Sequence, residues 1–327
     1  MSKRLRIYSD ETWAKVHEDN KEVLNDYILE LKSKKKSEGT VYQYAADIKM
    51  FFCWVCENLD NKPILNLKKR DFRRFFLFLE EKSPARINRV QCSIRNLLEF
   101  CTQDDDLYEE YEINVMRSIK GLQKEKVRDI HFLTNDQIEL ILGHLIQKKQ
   151  YQRALYLALS YESAGRRNEV HQVLKHKFLD ENKTNIVTGK RGKKFPLLYF
   201  SRSKEIAKLY LDQRGQDNID SLWVVGDGEE RQPASYETLY NWVMSFRTIL
   251  QKLTKEDTIE FNPHSLRHSA LENYADGTHY VLKEMGKDKL DIKVLKVLAN
   301  HSDISTTESY LKDKDQEILG EAFGLKL

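Results

Sequence analysis

No stretch of this chain approaches the ~18 consecutive apolar residues that a membrane-spanning helix needs. The basic start, Met1-Ser2-Lys3-Arg4-Leu5-Arg6, leads into no apolar segment of the kind a secretory leader carries. The sequence therefore predicts a soluble, cytoplasmic protein without a membrane partner. Glycine and proline are sparse, 13 and 5 among 327 residues, and strand-like alternation is absent from the first half. A dominant charge sign is missing too. Fifty-four Lys+Arg against 51 Asp+Glu leave a net charge of +3, so any nucleic-acid partner must be read from charge distribution. Cysteine is limited to Cys53, Cys56, Cys92 and Cys101, which fits a reducing compartment. The Cys53–Cys56 pair has metal-ligand spacing but apolar helical flanks and no second Cys or His pair, so it reads as core thiols and no metal is expected. There is no Walker-type phosphate loop, no acidic cluster suited to magnesium, no internal repeat and no low-complexity segment.

What is present suffices for two cores: 40% of residues are hydrophobic, in a chain of two-domain length. Apolar positions at helical spacing predict helices over about 10–36, from a cap at Thr40 onward, over 67–81 and over 85–101. A polar stretch near 121–131 reads as a linker. Helices are expected again over 135–149, capped by Thr134, and over 151–162. Residues 183–199 read as a β-hairpin turning at Gly189-Lys190-Arg191-Gly192. The expected fold is mainly α with a small β-hairpin in the second domain. The boundaries are 1–120 for a helical domain, 121–131 for the linker, and 132–327 for a second domain ending in a tail helix.

Four segments of the second half gather Arg, His, Lys and Tyr: Ser163-Ala-Gly-Arg-Arg-Asn-Glu-Val170, Gly189-Lys-Arg-Gly-Lys-Lys194, Pro263-His-Ser-Leu-Arg-His268, and Leu298-Ala-Asn-His-Ser-Asp-Ile-Ser-Thr-Thr-Glu-Ser-Tyr310. His264 and Arg267 share a helix face just after an Asn262-Pro263 start signal, an arrangement that favours an anion. Taken singly, each segment also suits an ordinary charged helix start, a solvated turn or a core tyrosine.

Together and in this order, the four resemble the tyrosine recombinase, or phage integrase, family. That family carries a TGLR-x-x-E segment, a Gly-Lys hairpin, an HxLRH box and an LGHSSISTTxxY box. The stretches Ser37–Tyr44 and Ile87–Arg95 also resemble the helices of its N-terminal core-binding domain, so the likeness spans about residues 20–312. The resemblance implies a two-domain DNA clamp whose second domain is catalytic. It implies Arg166 and Arg267 as phosphate ligands with Glu169 in support, Lys190 as the acid for the leaving oxygen, His264 as proton acceptor, His301 as phosphate donor and Tyr310 as nucleophile. Arg167 competes with Arg166 for its place, as Lys193 and Lys194 do with Lys190. No cofactor is implied. The implied activity is site-specific recombination of the integrase, excisionase or resolvase type, through a 3′-phosphotyrosine and a Holliday junction. A DNA-binding relative without activity, a type IB topoisomerase-like enzyme and a telomere resolvase are the alternatives.

The sequence departs from the family pattern in three places. Ser163-Ala164-Gly165 stands for Thr-Gly-Leu, Ala299-Asn300 stands for Leu-Gly, and a charged insert over 277–290 lengthens the interval from Arg267 to His301. Basic positions that suit DNA are Lys34, Lys35, Lys36, Lys68, Lys69, Arg73, Arg191 and Lys193, with Arg86, Arg89 and Arg95 placed to reach bases. The expected partner is duplex DNA bearing inverted repeats. The protein is expected to be a monomer alone and a homotetramer on paired sites, joined through the tail after Tyr310, and associated with the nucleoid.

Overall fold

The computed structural model describes residues 7–104, 106–123, 131–176, 178–179 and 181–311. The chain divides into two compact units, 1–128 and 129–327.

The first unit is helical: α1 (Asp10–Lys15), α2 (Glu18–Ser33), α3 (Glu38–Asn58), α4 (Lys69–Phe78) and α5 (Pro84–Cys101). Sequence periodicity alone joins the first two into one helix, but the structure breaks it at Val16–His17. Asn61 clasps the break by accepting from the His17 amide and donating to the Lys15 carbonyl, and the His17 ring caps α2 through the Asp19 amide. Ser37, rather than the expected Thr40, caps α3 by accepting from the Thr40 amide. Phe51, Phe52, Phe72 and Phe75 are buried at the centre, with Phe51 and Phe75 rings 4.8 Å apart. Cys53 is buried among them and burial pushes its thiol up to about 11, the behaviour of a packing residue.

Asp47 organises the polar side of this unit. Its carboxylate is buried; it accepts from Arg89 at 3.2 Å and Ser93 at 3.2 Å and lies in an ion pair with Arg86 at 2.8 Å. Arg95 donates to the carbonyls of Met116 and Ile119, at 3.3 and 2.7 Å. Arg95 thus ties the segment after α5 to the helix, and those donors are used inside the chain.

The second unit contains α6 (Asn135–Gln147), α7 (Tyr151–Glu162), α8 (Arg167–His171), the hairpin β1 (Lys183–Thr188) and β2 (Lys194–Leu198), α9 (Ser201–Arg214), short strands β3 (Val224–Val225) and β4 (Gln232–Pro233), α10 (Tyr236–Thr254), α11 (Pro263–Ala275), α12 (Tyr280–Glu284), α13 (Ile292–Leu298) and α14 (Ile304–Glu308). Thr134 caps α6 with a capping box through Gln137. Every residue of α7 from Ala154 on is buried, as suits a helix apolar all round that other helices enclose. The hairpin pairs antiparallel with Thr188 opposite Lys194 and Val187 opposite Phe195. Among the described residues, no helix is long and apolar enough to cross a membrane.

The charged insert turns out to be anchored in this core. Tyr280, Val281 and Leu282 are buried, and the His279 ring lies between Tyr161 and Tyr274 with centroids 4.0 and 3.7 Å away. The charges of the insert fall at other positions, so mean polarity hid an apolar triplet. Glu162, also buried, accepts from the Tyr280 hydroxyl and from the amides of Phe200 and Ser203 at 2.7 and 3.0 Å. It thereby caps α9, which has no side-chain cap of its own.

Burial lowers the pKa of His279 to about 3, from an ordinary value of 6.5. The unfolded chain therefore takes up a proton below 6.5 that the folded one refuses. The stability from a neutral His279 is complete above that pH and is lost as pH falls towards 3. A slope approaching about 1.4 kcal/mol per pH unit is expected from this group. Melting temperature should fall on acidification, and less steeply in His279→Phe. Equal slopes in the two proteins would refute the assignment.

Candidate active site

The site is assembled from three turns and one helix start. The first turn follows α7. Ala164 takes a left-handed backbone, φ 48, where the family pattern has glycine one residue before this chain's Gly165. A side chain on Gly165 would come within 2.9 Å of Ser163 Oγ and Val170, so the departure Ala164-Gly165 exchanges one constraint for another. Arg166 follows, and Glu169 accepts from both its amide, at 2.8 Å, and its guanidinium, at 2.9 Å.

The second turn is the hairpin tip, where Arg191 (φ 62) and Gly192 (φ 74) reverse the chain and Lys190, Arg191 and Lys193 are exposed. A Cβ at Gly189 would meet the Phe195 ring at 2.7 Å and Glu169 at 3.1 Å, which requires glycine beside Lys190. Lys193 reaches the Asn300 carbonyl at 3.5 Å.

The helix start is Asn262, which caps α11 by accepting from the amides of His264 and Ser265. Three residues after His264, Arg267 is 1% exposed. Its guanidinium donates to the carbonyls of Ala164 and Ala299 and meets His301 Nε2 at 2.6 Å, while its Nε has no acceptor among the described residues. Burial, with Arg166 nearby, lowers its pKa to about 10, so it stays charged at neutral pH. Arg267 thus ties the first turn to the third.

That third turn follows α13. Asn300 has φ 54, a conformation in which asparagine can stand for glycine, and His301 comes next. A guanidinium only donates, so His301 Nε2 accepts and the ring proton sits on Nδ1, 3.0 Å from Thr307 Oγ1. Burial and the cations Arg267, Arg166 and Lys193 lower its pKa to about 3. His264, shielded on its protein side and flanked by His268, Arg267 and Arg166, is lowered to about 4. Both rings are neutral at pH 7.

Tyr310 lies just after α14 in the middle of this set. Its ring centroid is 5.1 Å from His264, 4.9 Å from His301 and 5.2 Å from the Arg267 guanidinium. His268 stacks on it at 4.3 Å and donates Nδ1–H to its carbonyl at 3.0 Å. Sequence reasoning passed over His268, although its place one helical turn after His264 was the available signal. Arg166, Lys190, Arg191, Lys193, His264, His301 and Tyr310 line one cleft of about 680 Å³, with Arg267 behind it. Arg166, paired with Glu169, lines that cleft, while Arg167 stacks on Tyr236. The basic residues Lys34, Lys35, Lys36, Lys68, Lys69 and Arg73 belong to the first unit, and of these all but the half-buried Lys69 are exposed.

Residues 131–317 match the sequence model of the phage integrase family. The chain belongs to that family. Integrase-family relatives include the SPbeta prophage-derived recombinase-like protein YomM of Bacillus subtilis, 25% identical over 96% of this chain and 94% of its own length. A tyrosine recombinase of Thermosipho africanus is 25% identical over 90% of this chain and 95% of its own. The chain is accordingly a tyrosine recombinase by class. The fold matches a lambda integrase dimer bound to a COC′ core site, with a TM-score of 0.65 and 15% identity over 90% of this chain and 96% of that one. It matches XerH recombinase on a palindromic difH substrate equally, at 0.65 and 16% identity over 89% and 81%.

Proposed function

We propose that this integrase-family chain is a site-specific recombinase that cuts and rejoins duplex DNA through Tyr310. The observation that carries the reading is the closure of His264, His268, His301 and Arg267 around the Tyr310 ring, beside a cleft walled by cations. A phosphodiester resists attack because it is an anion. Arg166 and Arg267 neutralise the charge that builds on its nonbridging oxygens, with Glu169 holding Arg166 in place. His264, neutral in the free protein, accepts the Tyr310 proton. The Tyr310 oxygen bonds to phosphorus as the bond to the 5′-oxygen breaks, and Lys190 protonates that leaving oxygen. The products are a 3′-phosphotyrosine and a 5′-hydroxyl. Attack by another strand's hydroxyl reverses the step, so ATP is not required. His301 donates to the phosphate from Nε2 once DNA replaces its contact with Arg267 and the ring proton moves from Nδ1 to Nε2, leaving Nδ1 to accept from the Thr307 hydroxyl. Lys34, Lys35, Lys36, Lys68, Lys69, Arg73, Arg191 and Lys193 supply phosphate contacts. Arg86 and Arg89 reach DNA only while paired with Asp47, and Arg95 acts within the fold.

The test uses a nicked duplex carrying a site obtained by binding selection, with EDTA present. A covalent adduct whose linked peptide maps to Tyr310 is the expected result. Specific binding with no adduct would instead favour a DNA-binding protein of the same fold.

Lys190 has its own test. A substrate with sulfur in place of the leaving 5′-oxygen departs without protonation. Lys190→Ala should cleave the ordinary substrate ~10²-fold or more slowly, and the sulfur substrate at nearly the wild-type rate. If Lys193→Ala shows that rescue and Lys190→Ala does not, the acid is Lys193.

Each protomer is expected to dock on a neighbouring protomer of a tetramer through the tail, whose residues 312–327 lie outside the described part of the chain. Its sequence places Ile318, Leu319, Ala322 and Phe323 at helical spacing. Removing the residues after Lys314 should abolish pairing of two sites and tetramer formation while single-site binding persists. Unchanged pairing on a native gel would end that proposal.

A further inference from the structure

Arg167 follows Arg166 yet is used differently. Its guanidinium lies 3.7 Å from the ring centre of Tyr236 and 5.0 Å from that of Tyr240, two residues one turn apart on α10. One terminal nitrogen, Nη1, is removed from solvent and has no hydrogen-bond acceptor among the described residues. The side chain opens onto a second cleft, of about 450 Å³, which also touches Asn168 and Asn262. No residue lining that cleft carries a carboxylate, and it shares Arg166 and His264 with the catalytic cleft. The two clefts therefore lie side by side, with Arg166 and His264 as their common wall.

A planar cation braced on two aromatic faces is held in one orientation before any ligand arrives. A donor left without an acceptor in such a place suits an anion with two oxygens in one plane. An acidic side chain is not what it meets here. The open cleft extends the path of whatever strand occupies the catalytic one, and consecutive phosphates of one strand lie about 3.4 Å apart along the helix axis.

We propose that Arg167, braced by Tyr236 and Tyr240, is a second phosphate-binding site that grips a phosphate of the cleaved strand next to the scissile one. It sets the strand's register across the two clefts. This rests on the strand-transfer reading above and adds the contact that decides which phosphate faces Tyr310.

The experiment uses the full chain and the selected duplex, with a neutral methylphosphonate placed at each phosphate near the cleavage point in turn. Affinity and its salt dependence are measured for the wild type, Arg167→Met and Arg167→Lys. One non-scissile methylphosphonate should weaken wild-type binding by about tenfold and have no further effect on Arg167→Met. The slope of log affinity against log salt should fall by about 0.9 in Arg167→Met and recover in Arg167→Lys. Equal methylphosphonate sensitivity of wild type and Arg167→Met at every position, or an unchanged slope, would overturn the site. Should Arg167→Met not fold, a wild-type scan with no sensitive position beside the scissile phosphate would overturn it as well. Loss of the Tyr310 adduct with this coupling intact would count against strand transfer alone.

Discussion

Tyr310→Phe is expected to bind its DNA as the wild type does and to form no covalent adduct. Phenylalanine keeps the ring that His268 stacks on and that His264 and His301 meet at about 5 Å. It also keeps the backbone carbonyl that accepts from His268. Only the attacking oxygen is lost. Adduct formation should fall by roughly 10⁴-fold or more, as when other covalent enzymes lose their nucleophile. The melting temperature should correspond to a stability change within about 1 kcal/mol. An adduct in Tyr310→Phe would move the chemistry to another residue and remove the basis of the proposed mechanism.

Arg267→Lys should be nearly as damaging and should differ in kind. Lysine keeps one positive charge but replaces a planar fork by a single point of donation. In the transition state that loss is expected to slow single-turnover cleavage at saturating DNA by ~10²–10³-fold. The fold suffers as well, because Arg267 is the link between the Ala164 and Ala299 carbonyls. A lysine cannot satisfy both, and a buried carbonyl left unpaired costs about 1–3 kcal/mol. Urea unfolding should show that loss in the second unit. Cleavage by Arg267→Lys within a fewfold of the wild-type rate would mean that Arg267 is a structural brace and that Arg166 carries the phosphate alone.

The same double use of arginine separates what was legible in the chain from what was not. The HxLRH box and the His301–Tyr310 interval pointed to residues that the fold brings to one cleft, because residue types at fixed spacing are a local property. Asn262-Pro263 announced the helix that presents them, and the glycines around Lys190 announced the hairpin. By contrast, Arg86, Arg89 and Arg95 look alike in sequence. Two of them turn out to be paired with Asp47, some forty residues away in the chain, and the third is tied to the segment beyond α5. Their availability to DNA depends on partners that only folding supplies. The insert misled for a related reason: its charged positions match the apolar ones in number, yet Tyr280, Val281 and Leu282 face inward.

The sequence by itself determined the helical character of both units, the hairpin, the bounds of α5, α6 and α7 to within two residues, and the histidines, arginine and tyrosine that the fold gathers at one cleft. These follow from periodicity, capping and spacing, which act over a few residues. Tertiary structure alone decided which of two adjacent arginines lines the cleft beside Tyr310 and which stacks on Tyr236. It also decided that His268 holds the backbone of Tyr310, and that Arg267 joins turns more than a hundred residues apart in the chain. Those choices depend on desolvation and on donors and acceptors brought together from distant segments. No local pattern encodes them, because each residue's role is set by the partner it meets.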